Sequence, residues 1–259
     1  MSRQLNLNAD LGESFGPWKM GSDAALLGIV TSANVACGYH AGDPSVMLRT
    51  VALARQHGVS IGAHPAYPDL QGFGRRRMDV PADELEAMVI YQIGALDACA
   101  KAEGMRVTHV KPHGALSNTA CADRNVADAV ARAIRRLDPA LILLAPAASQ
   151  LALAGTAQGL PVVEEVFADR AYLDDGNLVP RSQAGAMIHG AEASLAHVVR
   201  MVDEQALVSI NGRRIPVNPQ SICVHGDNAE AVATARALRD GLEKAGCRFV
   251  PIPELAAGR

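Results

Sequence analysis

From Gln4 to Asp10 the chain alternates at period two, with Leu5, Leu7 and Ala9 on one side and Asn6, Asn8 and Asp10 on the other. That is the spacing of a β-strand with two unlike faces. The apolar face calls for a cover of other elements, whereas the amide and carboxylate face suits either water at a sheet edge or the lumen of a closed barrel near its mouth. Six more short apolar runs follow: Gly28 to Ala36, Val59 to Ala63, Val107 to Lys111, Leu141 to Leu144, the run opening at Val162, and Ser221 to Val224. Between them lie stretches of helical length, ending near His57, running from Asp83 to about Glu103, Asp123 through Arg136, Ser149 to Gln158 and Gln183 to Glu204, and ending near Ala245.

Local signals set the boundaries. Asp43-Pro44 reads as an N-cap followed by proline at the first helical position, and Asp83 with Glu86, like Asp227 with Glu230, has capping-box spacing. Asn211-Gly212, inside Val208 to Val217, predicts a tight hairpin. Seven strand-then-helix units with no linker or repeat period predict a parallel sheet, and the number favours a closed or nearly closed α/β barrel over an open doubly wound sheet. The expectation is one seven-stranded (β/α) TIM-like barrel over residues 1–259, with a small hairpin insertion near 207–217.

Composition sharpens this in two ways. Hydrophobic residues make up 49% of the 259, aromatics only 3%, and 23 glycines supply turns, which suits many short, closely packed elements better than a β-sandwich. A net charge of -3 gives no electrostatic footprint for nucleic acid or an anionic membrane, so both leave the list of partners. No apolar run is long enough to span a bilayer, and Met1-Ser2-Arg3-Gln4 lacks the build of a signal peptide, so the expected location is cytoplasmic. The five cysteines include no C-x-x-C pair, which argues against a disulfide framework or zinc finger and for buried fillers.

Polar groups follow six of the seven strands at their C-terminal ends, where α/β barrels gather catalytic groups. The fifth strand ends in Ala145-Pro146 and looks structural. The ring comprises Asp10, Glu13, His40, His64, Lys111, His113, Glu165, Asp169, Arg170, His225 and Asp227. Carboxylates beside histidines serve acid–base work or metal binding, and with no H-E-x-x-H the metal option rests on the cluster alone, its candidates being Asp10, His40 and His64. Lys111 is one of four lysines and the only one beside an apolar strand pattern; it can neutralise an oxyanion, bind phosphate, form a Schiff base or, if burial lowers its pKa, act as a base. Asp43 and Asp227 are equally explained as helix caps. In Gly72-Phe73-Gly74-Arg75-Arg76-Arg77, Arg75 beside the glycines is the candidate anion ligand, while Arg76 and Arg77 read as a solvated charge run. No lysine follows a glycine, so there is no Walker-type loop, and ATP, if used, would be bound by another chain.

The strings Asn6 to Glu13, Asn34 to Asp43, Gly62-Ala63-His64-Pro65 through Gly72-Phe73-Gly74-Arg75, Val110 to Leu116, Glu165 to Tyr172 and Val224-His225-Gly226-Asp227 resemble, in order, the signature blocks of the LamB/YcsF family of 5-oxoprolinase A subunits. The resemblance covers nearly the whole chain. It implies a seven-stranded barrel related to the glycoside hydrolase/deacetylase group and ATP-dependent opening of 5-oxoproline to glutamate with partner subunits B and C, which would bind the ATP. On this footing Asp10, His40, His64, Lys111, His113 and His225 are the catalytic candidates, with Asp10 or His64 activating water. Asn8, Glu13, Asn34, Asp43, Arg75, Glu165, Asp169, Arg170 and Asp227 are the substrate-binding candidates. Ser117 departs from the tyrosine usual in the family at that point, which bears on substrate detail. A stand-alone metal-dependent amidase or deacetylase, and a non-catalytic lactam-binding protein, are the alternatives.

Overall fold

The alternation of the first strand is used on both sides. In the computed structural model, which describes residues 3–224 and 230–257, β1 (Gln4–Leu11) buries Leu5, Leu7, Ala9 and Leu11 in the hydrophobic core. Asn6, Asn8 and Asp10 are buried as well, reaching across the lumen to residues of other strands. A fully buried leucine contributes about 1.5–3 kcal/mol, so the outward face alone anchors the strand strongly.

The elements follow as α1 (Asp23–Leu27), β2 (Ser32–Ala36), α2 (Pro44–His57), β3 (Ser60–His64), α3 (Ala82–Ala102), β4 (Val107–Val110), α4 (Gly114–Ala122), α5 (Arg124–Leu137), β5 (Ile142–Pro146), α6 (Gln150–Ala157) and β6 (Val162–Phe167). Then come α7 (Ala191–Glu204), β7 (Ala206–Val208), β8 (Arg214–Pro216), β9 (Ser221–Val224), α8 (Ala231–Lys244), β10 (Arg248–Phe249) and α9 (Ile252–Ala257). Strands β1, β2, β3, β4, β5, β6 and β9 pair in parallel in that order, and β9 pairs back onto β1. The barrel is closed with seven strands, as the sequence rhythm predicts. β10 extends the pairing at the start of β1, where Gln4 meets Arg248. No helix among the described residues is long and apolar enough to cross a membrane.

Several boundaries follow their local chemistry. Asp43 caps α2 by accepting from the Ser45 and Val46 amides, Pro44 starts the helix, and Gly58 ends it in the left-handed conformation. Asp123 and Ser149 cap α5 and α6 in the same way.

Other expectations need correction. The capping box at Asp83 and Glu86 does not form: Pro81 is the N-cap of α3, Asp83 lies inside its first turn, and Glu86 instead accepts from Arg132 Nε at 2.7 Å. The helix expected from Gln183 begins only at Ala191, because Gly185 and Gly190 take positive φ and residues 186–188 are tied to 169–171 by backbone hydrogen bonds. The second strand starts at Ser32, not Gly28, because the short helix α1 ends there. The hairpin of β7 and β8 is antiparallel, but residues 209–213 make a wider connection than a two-residue Asn-Gly turn, held by the Ser209 hydroxyl accepting from the Asn211 and Arg213 amides.

Candidate active site

Lys111 directly follows β4, its amide donating to the Ala63 carbonyl at 2.9 Å, so the strand's last hydrogen bond fixes where the side chain enters the lumen. Its ammonium lies 2.9 Å from Asp10 Oδ1, 3.1 Å from Glu165 Oε1 and 3.3 Å from Asn8 Oδ1. Cys223 Sγ, 3.0 Å away, completes the surround. Burial works against the charge, but Asp10 first, then Cys223 and Glu165, overcome it and hold the Lys111 pKa well above its usual value. The base role for a lysine of lowered pKa is thereby removed: this ammonium keeps its proton. Burial raises the Glu165 carboxyl against the pull of Lys111, and it pushes the Cys223 thiol well up, so the sulfur meets the ammonium as a neutral thiol. Cys223 is therefore more than the apolar filler expected of it.

Above this pair sits a group of imidazoles. Glu13, His40, His64 and His113 each bring one ligand atom to within 4.8 Å of the others. Gly12, at φ +70°, turns the chain after β1 so that Glu13 returns to the mouth. His64 ends β3, and its Nδ1 donates to the Lys111 carbonyl at 2.6 Å. His113 Nε2 donates to the Phe73 carbonyl at 2.8 Å. Those carbonyls can only accept, so in the neutral rings the remaining nitrogens, His64 Nε2 and His113 Nδ1, are lone-pair donors, and they face each other at 3.0 Å. Asp10 Oδ2 is 3.3 Å from the first and Glu13 Oε1 is 3.6 Å from the second. His40 stacks on His113 with centroids 3.8 Å apart and places Nε2 3.2 Å from Glu13 Oε1. Burial lowers the pKa of His40 and of His113 well below the ordinary value, with neighbouring histidines adding to the effect. Neutral imidazoles whose lone pairs converge on carboxylates require a positive charge between them, either a shared proton or a metal cation.

The loop over this group is built to fit tightly. A Cβ on Gly74 would lie 2.8 Å from the His113 ring and 2.9 Å from His40 Cβ, and one on Gly114 would meet the Gly74 carbonyl at 2.6 Å. Asp69 clasps Arg76 and accepts from the Gly72 amide, closing the base of the loop. Arg76 thus staples the loop through Asp69 while its side chain stays exposed, as the solvated reading expects.

Asp10, Glu13, His64, Lys111 and His113 form one wall of a cleft of about 610 Å³. Arg75 and Phe73 enter from one side, Arg170 and Arg181 from another, and Ser117, Cys121 and Ser149 give a small polar lining. Arg170 is buried and spends Nη2 on the Val179 carbonyl; burial, then Arg181, lowers its pKa to about 10. Arg170 is the buried guanidinium and Arg75 and Arg181 are exposed; three guanidinium groups lining one cleft favour an anionic ligand.

The remaining candidates fall elsewhere. Asn8, Asn34 and Glu165 lie beneath the cleft, buried in the lumen, where they hold Asp10 and Lys111. Asp43 spends its carboxylate on the α2 cap and on the Gly16 amide at 2.7 Å. Asp169 lines a neighbouring cleft of about 510 Å³ together with Arg181 and His189. His225 and Asp227, with its expected capping box, lie outside the described residues. Of the metal candidates, His40 and His64 belong to the converging group; Asp10 does not, and Glu13 and His113 do. Sequence reasoning passed over His109, fully buried in the lumen with Nε2 3.0 Å from Asn34 Oδ1. A signal existed: Val107, His109 and Lys111 share one face at period two, so a lumenal Lys111 brings His109 with it.

A family model for LamB/YcsF matches residues 5–257. The chain is 56% identical over 252 residues to a protein of Azoarcus sp. (strain BH72) that carries the name of the A subunit of 5-oxoprolinase, covering 97% of this chain and 98% of that one. Among solved structures it is similar to the lactam utilization protein from Thermus thermophilus, with 44% identity, a TM-score of 0.90 and coverage of 96% and 100% of the two chains. The catalytic domain of a peptidoglycan N-acetylglucosamine deacetylase from Eubacterium rectale ATCC 33656 shares the fold at 13% identity and a TM-score of 0.52, covering 97% of this chain and 89% of the other.

Proposed function

The chain belongs to the LamB/YcsF family, and from that membership and the chemistry of the cleft we propose that it is the A subunit of a 5-oxoprolinase, which opens the lactam 5-oxoproline to glutamate with ATP and with partner subunits B and C. The observation that carries the reading is the meeting in one cleft of an Asp10–Lys111 pair, converging histidines and three arginines. A lactam carbonyl is a poor electrophile because amide resonance stabilises it; phosphorylating its oxygen opens the ring carbon to water. The partners supply ATP and the phosphoryl step, and this chain takes the activated lactam.

Arg75, Arg170 and Arg181 hold its carboxylate and phosphate. Asp10, through the oxygen beside His64 Nε2, receives the proton of the attacking water. The proton taken up by Asp10 returns to the ring nitrogen through the facing nitrogens of His64 and His113 as the C–N bond breaks. A second water then releases phosphate from the acyl phosphate so formed, and Lys111 fixes positive charge where negative charge develops. The donor set also fits a divalent cation: Glu13, His40, His64 and His113 would hold it, and when bound it supplies Lewis acidity at the lactam oxygen.

ATP-coupled opening of 5-oxoproline, measured with this chain alone and then with B and C subunits, tests the division of labour. Activity is expected only in the assembly, and with Asp10→Asn it is expected to vanish there while the complex still forms. Opening by the isolated chain would overturn the reading in favour of a stand-alone amidase, which metal content before and after chelation would then characterise.

A further inference from the structure

His109 touches neither the cleft nor the converging imidazoles, yet it sits at the centre of the lumen. Burial, then the charges of Lys111 and His64, push its pKa down to about 3, so the ring is neutral through the working pH range. Gly62 on β3 makes the space for it: a Cβ there would lie 2.2 Å from ring carbon Cδ2. Its Nε2 is 3.0 Å from Asn34 Oδ1, and its Nδ1 is 2.9 Å from Thr108 Oγ1.

The hydrogen positions follow by elimination. Asn34 Nδ2 faces Asn8 Oδ1 at 2.7 Å, Asp10 Oδ1 at 2.8 Å and the Ala9 carbonyl at 3.4 Å. Turning the amide over would set an oxygen against those acceptors, so Asn34 Oδ1 faces His109 and must receive a hydrogen. His109 therefore carries its proton on Nε2. Its Nδ1 is then a bare acceptor 2.9 Å from the Thr108 hydroxyl, whose single hydrogen is also within reach of the Ile61 carbonyl at 3.0 Å. On the far side, Asn8 Oδ1 accepts from Asn34 and Lys111, which leaves Asn8 Nδ2 to donate to Glu165 Oε1 and Ser221 Oγ, both at 2.8 Å. From His109 through Asn34 every bond points the same way, toward the two carboxylates.

We propose that His109 and Asn34 are positioning residues, a one-way donor chain that holds an N–H against Asp10 Oδ1 and so fixes the Asp10 carboxylate with its other oxygen directed at His64. This rests on the role given to Asp10 in lactam opening. The chain needs a neutral imidazole, since an imidazolium would repel Lys111, and it needs one tautomer, since a bare Nε2 would repel the Asn34 oxygen and release the amide to turn.

Two measurements on the full chain and its assembly decide it. Ring ¹⁵N shifts of His109 in the isolated chain are expected to show the neutral Nε2–H tautomer, unchanged between about pH 5 and 8. In the assembly, His109→Gln, whose amide can still donate to Asn34, is expected to keep kcat within about threefold, whereas His109→Leu lowers it about tenfold or more with KM little changed. Equal rates for the two variants, or an Nδ1–H or doubly protonated ring, would overturn the proposal. If His109→Leu does not fold, Thr108→Val tests the same chain, since Asn34 alone should hold the Nε2–H tautomer: an unchanged ¹⁵N spectrum is expected, and appearance of the Nδ1–H form counts against the proposal. Should the wild-type assembly open no 5-oxoproline, the functional reading fails, while the NMR result still decides the donor chain.

Discussion

The floor and the mouth of one lumen are built from the same strands, by the same period-two alternation, to opposite ends. At the floor, Asn6 Nδ2 donates to Ser32 Oγ at 2.8 Å and to the Val250 carbonyl at 2.9 Å, the Ser221 hydroxyl donates to Asn6 Oδ1 at 2.7 Å, and Ser32 and Ser60 share a bond of 2.7 Å. These groups are neutral and mutually satisfied. Two residues further along β1, Asn8 joins the layer of Glu165; two more bring Asp10 to Lys111, and beyond them the imidazoles crowd lone pair to lone pair. At this level buried atoms are left over, Glu165 Oε2 and His40 Nδ1 having no hydrogen-bond partner among the described residues. Orphaned atoms also occur on Arg3, Arg170 and His197, so what sets the mouth apart is that its orphans sit on lumenal carboxylate and imidazole groups, the kind that handle ligands and protons.

The largest expected effect tests the charge balance at the mouth. Lys111→Met leaves the buried Asp10 and Glu165 carboxylates without their cation, and removing one partner of such a pair costs about 3–5 kcal/mol. Urea unfolding should show that loss, and adding Glu165→Gln should recover part of it by removing one of the two acids. A double variant no more stable than Lys111→Met would mean that Glu165 is not part of that balance. Asp10→Asn comes next: it keeps the shape, so a fall in assembly activity of about 100-fold or more is expected with a change in stability of about 1–2 kcal/mol. Comparable activity would move the base elsewhere.

The third effect separates the two ends by pH. His40, His109 and His113 have folded pKa values depressed by burial, His109 to about 3. The unfolded chain takes up these protons below about pH 6.5 and the folded one does not, so stability is fully present above that value and falls as the pH drops. Each such histidine contributes a loss of up to about 1.4 kcal/mol per pH unit, continuing for His109 toward pH 3. Unfolding midpoints between about pH 8 and pH 5 check it, and a flat profile would mean that the rings are already charged in the folded state.

How far all this was written in the sequence depends on the distance over which partners act. The strand rhythm, the polar face of β1 and the placement of Lys111 at a strand end are local facts, and they were legible. The choice between an edge strand and a lumen was not, because it depends on β9 pairing back onto β1. The ligand group was half legible. His40 and His64 stand at strand ends, but Glu13 joins them only through the positive φ of Gly12, and His113 becomes a lone-pair donor only because the Phe73 carbonyl, forty residues away, takes its hydrogen. Asp43 was ambiguous as written, carboxylate ligand or cap, and its three backbone amides settle what it does. The segment 183–190 misled because its composition is helical while its bonds to 169–171 are not.

The smallest effect is the one that isolates the floor. Ser32 Oγ accepts from Asn6 Nδ2 and from the Ile252 amide at 3.1 Å, so its own hydrogen must go to Ser60 Oγ, and the Ser60 hydroxyl passes its hydrogen to the Thr31 carbonyl at 3.4 Å. Ser60→Ala strands the Ser32 hydrogen beside Asn6. A lost hydrogen bond of this kind costs about 1 kcal/mol. No charged group is in the circuit, so the assembly's kcat and the His109 tautomer should both stay at wild-type values while the urea midpoint drops. Ser221→Ala is the matched control one step closer to the mouth, because that hydroxyl also receives a hydrogen from Asn8. It should cost a similar amount of stability and also lower activity by a few-fold, through loosened support of Glu165 and Lys111. If Ser60→Ala lowered activity as much as Ser221→Ala, floor and mouth would be one coupled network rather than a scaffold beneath a site.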